Sequence, residues 1–530
     1  MKILFQKLSH SKKATYVLIA MTMLLVCVYM IITHIGVRPD GDLLWHYKLG
    51  EDILKTKTLS LDNPYTFLSG TEWVPHEWLY EVCIAVILNA TGAIGFCVLY
   101  ALNKICLFTV TYKLNKPKSP FLFLIMFVLV NCILPMNRGN RPAEFSVYFV
   151  LCVFYFSWSN SKYKQLLYIL LGVFIANFHG GVIIIMITIH FILMLLDFCM
   201  DIYNRSFHVK SYYGKHFANI LLFIAACFIN PAGYKLFASS FLTTKADTTY
   251  QISEWQSASF DYIFAFVIIF MVLSFGYALY KTKFDRLCVQ KIGCLCALLL
   301  LSLVSLKAFI IYFIVYCVFG YTYSYQMLCD ICFVIKEKWI VPEKLQAMPK
   351  LTFNMKLCLL NYVIIVFCVI AFSDVKLDIE KMGDVSSFKT WVNSFYSEEI
   401  LSELQENYTD DTRILTSYSV GNVLLLNDMK CFVDTRAWCY MKELGDCDAL
   451  DELFYITRVC AQDGQAITSF LNKYQFDYVW VNGELPLAVY LDGSENYELI
   501  YSNSDVLDDD VLIYERNIRE YECLYKRVAE

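Results

Sequence analysis

The sequence predicts an α-helical polytopic membrane protein with about eleven spans and a soluble α/β domain at its C-terminus. Three observations lead to that class. Hydrophobic residues make up 58% of the chain and mean hydropathy is +0.49, too apolar for an ordinary soluble protein. The apolar residues gather into runs near the ~17–25 residues that cross a bilayer as helix. Clusters of Lys and Arg recur after every second run.

The spans fall at Thr15–Ile35, Ile94–Val110, Ser119–Pro135, Glu144–Trp158, Gln165–Asn177, Val182–Cys199, Phe217–Ile229, Phe260–Tyr280, Ile292–Leu306, Ala308–Tyr323 and Lys356–Phe372. No small-residue cleavage motif follows the first, which reads as a retained helix and not a signal peptide. Lys2, Lys7, Lys12 and Lys13 precede it and put the N-terminus in the cytoplasm. Lys113, Lys116 and Lys118, then Lys162 and Lys164, Arg205 to Lys215, Lys281 to Lys291 and Lys336 to Lys350, all fall on that same side if the spans alternate. The agreement requires an odd number of spans. It gives the short apolar segment Leu79–Asn89 a separate status, as an amphipathic or re-entrant helix on the outer face. Residues 1–373 are then the membrane domain, 36–78 its first outer loop, and the C-terminus lies outside the plasma membrane.

From Asp374 to Glu530 acidic residues predominate and apolar runs shorten. "FDYVWVNG" and "DDVLIYERN" alternate like half-buried strands, and Ser397–Glu406 and Ala449–Ala461 read as helices. This is an extracytoplasmic α/β domain large enough for its own core. "KCFVDTRAW" reads as a strand, Cys431 to Val433, ending at Asp434 and Arg436. Cys329 and Cys332 have metal-ligand spacing but no second pair follows. Cys431, Cys439, Cys447, Cys460 and Cys523 leave room for one disulfide or for free thiols.

The outer loops hold the chemistry. In "RPDGDLLWHYKLG", Pro39 ends one helix and the next restarts along the interface with an apolar stripe of Leu43, Tyr47, Ile53 and Leu54. Asp42, Trp45 and His46 share a face of it at i, i+3 and i+4. Asp40 suits an N-cap, and Trp45 and His46 also suit interfacial anchors. The same loop brings His76 and Glu77 between Trp73 and Trp78, a stacking wall or an aromatic belt; "HEWLY" lacks the second histidine of a metalloprotease helix. "MNRGNRPAEFS" supplies Arg138, Arg141 and Glu144, and forked guanidinium groups match phosphate. "ANFHGG" supplies His179, whose flanking glycines let backbone approach a ligand. The fourth outer loop supplies Glu254, and Lys307 sits near the outer ends of two spans, where it needs an anion, either a phosphate or a carboxylate such as Glu144. A polar site at the membrane boundary suits a substrate with an apolar tail and an anionic head.

The ordered set "DGDLLWHYKLG", "NPYTF", "HEWLYE", "NRPAEFS", "NFHGG", "INPAGY", "EWQS", "YSVGNVLLL" and "CFVDTRAW" resembles the GT-C superfamily of polytopic glycosyltransferases, and more closely bacterial relatives of protein mannosyltransferases and lipid A aminoarabinose transferases. That group commonly has Gln after the "RP" pair, where Ala143 and Glu144 stand here, and Arg where Lys307 stands. The resemblance implies a transferase that moves a sugar from a polyprenyl-phosphate donor to a hydroxyl of a cell-envelope glycan, lipid or protein at the outer face. It makes Asp42 the catalytic base, with Asp40 the neighbouring alternative, and gives Arg138, Arg141, Lys307 and His179 to the donor phosphate. Trp45, His46, His76, Glu77, Glu144 and Glu254 support the site. A divalent metal ion is an optional cofactor, since GT-C relatives differ on it. No nucleic-acid partner is expected. The competing readings are a transporter or flippase for a lipid-linked precursor, which requires polar residues deep in the helices, and a non-catalytic binder of lipid-linked glycans.

Overall fold

The computed structural model describes residues 11–35, 38–59, 62–133, 140–205, 210–243, 245–246, 251–257, 262–338, 352–379, 384–442, 447–459, 463–503 and 521–528. Each span expected from the sequence falls on a helix: α1 (Lys12–Ile35), α2 (Gly41–Thr56) in the first outer loop, α3 (Trp78–Asn115), α4 (Pro120–Ile133), α5 (Pro142–Trp158), α6 (Lys164–Phe178), α7 (Ile183–Tyr203), α8 (Lys210–Cys227), α9 (Lys235–Thr243), α10 (Tyr262–Lys281), α11 (Arg286–Val304), α12 (Phe309–Val315), α13 (Tyr321–Lys338) and α14 (Phe353–Ile379). Among the described residues six helical stretches, those of α1, α3, α7, α11, α12–α13 and α14, are long and apolar enough to cross a membrane. The protein is a membrane protein. One π-helical turn, Tyr316–Gly320, joins α12 to α13, so the tenth expected span runs well past Tyr323.

The first and last membrane helices pack against each other. Thr15 Oγ1 donates to Asn354 at 2.7 Å, Thr22 Oγ1 to Asn361 at 2.7 Å, and Cys368 Sγ reaches the Leu25 carbonyl. Both partners advance together, so α1 and α14 run parallel. A chain whose first and last spans are parallel crosses an odd number of times, as the charge pattern requires. The first outer loop and the C-terminal domain therefore share one side of the bundle. Such interhelical bonds contribute ~0.6 kcal/mol each in a membrane, so their value here is register as much as stability.

Helix α2 starts where the sequence places it. Asp40 is its N-cap and accepts from the Asp42 backbone N–H at 3.0 Å; Asp42 occupies the first turn. Its surroundings differ from expectation. Leu43 to Gly50 are buried on every side, because the C-terminal domain covers the face that an interfacial helix would present to solvent. The segment Leu79–Asn89 forms the first arm of α3, separated from the rest by Gly92 at φ 57°, ψ −150°. That arm buries Tyr80, Ile84, Ala85 and Leu88 against α2 and the helix Phe388–Asn393.

The C-terminal domain holds a four-stranded sheet: β1 (Ile414–Thr416), β2 (Tyr478–Asn482), β3 (Tyr497–Ser502) and β4 (Glu522–Arg527), in the order β1-β2-β4-β3. β1 pairs parallel with β2; β4 is antiparallel to both β2 and β3. Strand β2 falls within "FDYVWVNG", but Tyr478 to Val481 are all buried, because both faces of this central strand are covered and not one; Ser397 caps the helix Glu398–Asn407. The helix expected over Ala449–Ala461 is α-helical over Ala449–Phe454 and π-helical over Tyr455–Val459, and its last two residues lie outside the described ones. "DDVLIYERN" lies outside the described residues, as does Cys460. Cys431, Cys439, Cys447 and Cys523 are buried free thiols. Cys431–Val433 is not a sheet strand: Cys431 makes one parallel bridge to Thr66 in the first outer loop. The segment is bonded on two sides: Cys431 N–H donates to the Tyr65 carbonyl at 3.1 Å and Phe432 N–H to the Ile414 carbonyl of β1 at 3.2 Å.

Gly92 tests this joint. A Cβ there would overlap the carbonyls of Val385 and Ser386, and the positive φ disfavours any L side chain. Gly92→Ala is expected to lower stability by about 1–3 kcal/mol. Gly276→Ala, with open space around its Cβ, is expected to change little. Thermal unfolding of the two purified variants checks both.

Candidate active site

The site assembles where α2, the start of α5 and the loop before α10 meet. Arg141 is the N-cap of α5, held extended (φ −68°, ψ 156°) by Pro142 behind it. Its Nη2 lies 2.5 Å from both oxygens of Asp40, and its Nη1 lies 3.1 Å from Asp42 Oδ2 and against Glu254 Oε1. The other Glu254 oxygen faces Lys307 Nζ at 3.6 Å, and Lys307 lies over the Trp255 ring at 5.2 Å. Three carboxylates and two cations thus form one chain of charges. About a quarter of the Asp42 side chain (23%) is exposed, yet crowding desolvates it and pushes its pKa up to about 6 against the pull of Arg141. Desolvation is the larger effect, although Arg141 opposes it. Burial would raise Glu254 too, but Lys307 and Arg141 hold it below its usual value. Burial would lower Arg141, yet Asp42, Asp40 and Glu254 hold it well above.

A crevice beside this chain is lined by Arg141, Ala143, Glu144, Glu254, Lys307 and Ile310. Two buried polar atoms, Arg141 Nε and Glu144 Oε1, have no hydrogen-bond partner among the described residues. Glu144 keeps its second oxygen on Lys104 Nζ at 2.9 Å, with Asn103 nearby. Lys307 therefore finds its carboxylate in Glu254, and Glu144 finds its cation in Lys104.

The histidines form a second cluster around Glu77. Its oxygens lie 3.1 Å from His179 Nε2, 3.7 Å from His76 Nε2 and 3.5 Å from His46 Nε2. Chain geometry explains the convergence: Gly180 N–H donates to the His76 carbonyl at 3.0 Å, and a side chain at Gly180 would strike Leu236. The network assigns the protons. Ser146 Oγ donates to the Pro142 carbonyl, so it accepts from His179 Nδ1–H. His76 Nδ1–H donates to the Val74 carbonyl at 2.8 Å. Both Nε2 lone pairs then face Glu77 Oε1, and a proton on that oxygen bonds His179 Nε2 at 3.1 Å, while His76 Nε2 at 3.7 Å stays beyond hydrogen-bond reach. Burial agrees: it pushes Glu77 up to about 8, lowers His76 to about 4, and holds His46 and His179 well below the usual imidazole value. His179, expected at the donor phosphate, is thus held between Ser146 and Glu77.

The C-terminal domain enters the site directly. Thr435 hydrogen-bonds the Asp42 carboxylate and is itself held by Asn422 at 3.0 Å. Behind it, Asp434 and Arg436 form a fully buried pair, Nε to Oδ1 2.9 Å, joined by the Tyr440 hydroxyl at 2.7 Å. The Arg436 guanidinium stacks over Tyr65 and Trp73 of the first outer loop. Trp45, Trp73 and Trp438 meet edge to face beside His76, while Trp78 leaves the wall and donates to Asn177 at 2.7 Å.

Of the sequence-chosen residues, Asp40, Asp42, Arg141, Glu254 and Lys307 are brought together; His46, His76, His179 and Glu77 form the adjoining cluster. Arg138 lies outside the described residues. Thr435, Asn422, Lys104, Asn103 and Ser146 were missed. "NK" inside an apolar span was the available signal for Asn103 and Lys104; nothing local marked Thr435. The residues present do not fit a metal ion: Asp40, Asp42 and Glu254 are the natural donor set, but Arg141 fills the point on which they converge. Among the described residues no group of three or more acidic, His or Cys side chains is arranged to hold one.

No protein-family model and no curated protein matches the sequence. Solved structures do match its shape. The archaeal oligosaccharyltransferase AglB from Archaeoglobus fulgidus, in complex with an inhibitory peptide and a dolichol-phosphate, aligns with a TM-score of 0.51 at 10% identity, over 94% of this chain and 74% of that one. The A. fulgidus oligosaccharyltransferase tethered to an acceptor peptide containing the NVT sequon aligns with a TM-score of 0.52 at 10% identity, over 92% and 72%. The likeness is one of fold: this chain has the overall architecture of these two archaeal structures.

The neutral state of Glu77 has a measurable consequence. Its folded pKa, about 8, exceeds its ordinary 4.5, so the folded state binds the extra proton and stability falls as pH rises toward 8. His76, lowered from 6.5 to about 4, acts in the opposite direction and only below 6.5. Between pH 6.5 and 8 the Glu77 effect is worth up to about 2 kcal/mol, and Glu81, which burial also raises well above its ordinary value, acts in the same direction. Melting temperature is expected to fall with pH in that window, and Glu77→Gln, which keeps a donor for His179, is expected to flatten the slope.

Proposed function

We propose that this protein is an inverting glycosyltransferase that moves a sugar from a polyprenyl-phosphate carrier to a hydroxyl of a cell-envelope acceptor at the outer face of the plasma membrane. The observation that carries the reading is Asp42: a carboxylate raised to about 6, beside a crevice lined by Arg141 and Lys307, at the junction of the bundle and the C-terminal domain. Such a carboxylate is ionised at neutral pH yet basic enough to take a hydroxyl proton as the acceptor oxygen attacks. Arg141 and Lys307 meet the phosphate and stabilise the charge that grows on it as the sugar leaves. The unpartnered Arg141 Nε–H gives the phosphate a donor that does not compete with the carboxylates. Glu254 orients both cations. Thr435 orients Asp42, which makes the C-terminal domain part of the site. The dolichol-phosphate and acceptor peptide held by the archaeal neighbours are ligands of the kind this reading requires.

The topology that goes with it puts Lys116 and Lys283 in the cytoplasm, and Asp42, His76 and Asp434 outside. Cysteine labelling from each face checks this, and a cytoplasmic Asp434 would overturn the reading. Donor and acceptor class follow from comparing lipid-linked sugars and envelope glycans with and without the gene.

Kinetics test the base. Asp42→Asn is expected to slow transfer ~100- to 10,000-fold with donor affinity nearly kept. Wild-type kcat/KM is expected to rise with pH through about 6 and then level, the direction of a base that must be ionised. Arg141→Lys, which loses the fork, is expected to cost ~100- to 1,000-fold. Normal transfer by Asp42→Asn, with collapse in Asp40→Asn, would move the base to Asp40. Normal transfer by both would refute catalysis at this site.

A further inference from the structure

We infer that Arg141 is a resident cation standing where a carboxylate-lined transfer site would hold a divalent metal, so that this site operates without one. The inference rests on the proposed site but not on its reaction. A divalent ion used in phosphate chemistry is bound by one or two carboxylates and by the substrate's own phosphate oxygens. Asp40, Asp42 and Glu254 are such a donor set, drawn from a helix cap, a first helical turn and a short turn more than two hundred residues later.

Every one of these carboxylates is already committed. Both Asp40 oxygens lie on Arg141 Nη2. Asp42 meets Arg141 through one oxygen and is hydrogen-bonded by Thr435. Glu254 divides its oxygens between Arg141 and Lys307. An entering dication would have to take these ligands from the guanidinium and then sit at contact distance from a fixed positive charge. Retreat of the guanidinium would break its contacts with Asp40, Asp42 and Glu254 together.

The exchange changes what the site can do. A metal ion offers open coordination positions and can be removed by a chelator. A guanidinium offers flat, directed N–H donors, stays charged at every working pH and belongs to the chain. The free Nε–H of Arg141 is the donor left for a phosphate oxygen once its two Nη groups are held by carboxylates.

Mn2+ titration of the purified full chain, followed by electron paramagnetic resonance with neither donor nor acceptor present, tests the inference. The wild type is expected to take up no stoichiometric Mn2+. Arg141→Ala empties the centre and leaves the carboxylates; it is expected to take up one Mn2+, and the added Asp42→Asn substitution to abolish that binding. Wild-type transfer is expected to be unchanged in excess EDTA. Stoichiometric Mn2+ on the wild type that is lost in Asp42→Asn would overturn the inference, as would activity lost to EDTA and restored by Mn2+. A folded Arg141→Ala protein, judged by its melting transition, that takes up none would overturn it too. If Arg141→Ala does not fold, Arg141→Gln replaces it, and the wild-type titration decides by itself. A chain inactive on every donor would refute the proposed reaction and leave the Mn2+ result standing.

Discussion

The structure depends on one helix being buried from both sides. Helix α2 gives Leu43, Leu44 and Tyr47 to the core shared with the first arm of α3, and Trp45 and Leu49 to the core of the C-terminal domain. Each large apolar side chain buried in this way contributes ~1.5–3 kcal/mol, so neither domain can shed the helix cheaply. Asp40 and Asp42 stand at its N-terminal end. Their positions are therefore set by two cores at once, which is what a site at a domain junction needs in order to keep its geometry.

Around that end, the protein keeps two buried polar clusters in opposite states. The Arg141 cluster is ionised: each carboxylate has a cation, and the crevice gives partial access to water. The Glu77 cluster is neutral: the carboxyl keeps its proton and the imidazoles lack theirs. The difference follows from the partners. Isolated buried charges are costly, and a group without an opposite charge neutralises instead. Glu77 has imidazoles as its neighbours, which in burial are poor cations; Asp40, Asp42 and Glu254 have a guanidinium, which cannot lose its charge. The neutral cluster then acts as a rigid backing wall, fixing the loop of His76 and the turn of His179 next to the ionised one.

The C-terminal domain is more than a cover. Its buried Asp434–Arg436 pair reaches Tyr65 and Trp73 through the guanidinium face, while Thr66 and Cys431 share a backbone bridge. Removing one partner of such a buried pair costs ~3–5 kcal/mol, because the other is left charged and alone. Thr435, between the two, is thereby held within reach of Asp42. The "VDTRAW" segment reads in sequence as a strand end with a local ion pair; in the fold it is the clasp between domains.

By itself the sequence determined the class of fold, the helix positions, the odd number of crossings and the segments that hold the site. Those properties are written in local or periodic features: apolar run length, the lysine clusters, Pro39 with its Asp40 cap, and Pro142 behind Arg141. It also singled out Asp40, Asp42, Arg141, Glu254 and Lys307, because charged residues at a membrane boundary are costly wherever they occur. Pairing was decided only in the tertiary structure. Glu254 with Lys307, Glu144 with Lys104, Glu77 with His179, and Thr435 with Asp42 are contacts between segments far apart in the chain. The state of each group was decided there too. Whether a carboxyl ionises depends on how much water packing removes and which partner it leaves, and neither quantity has a signature in the order of residues.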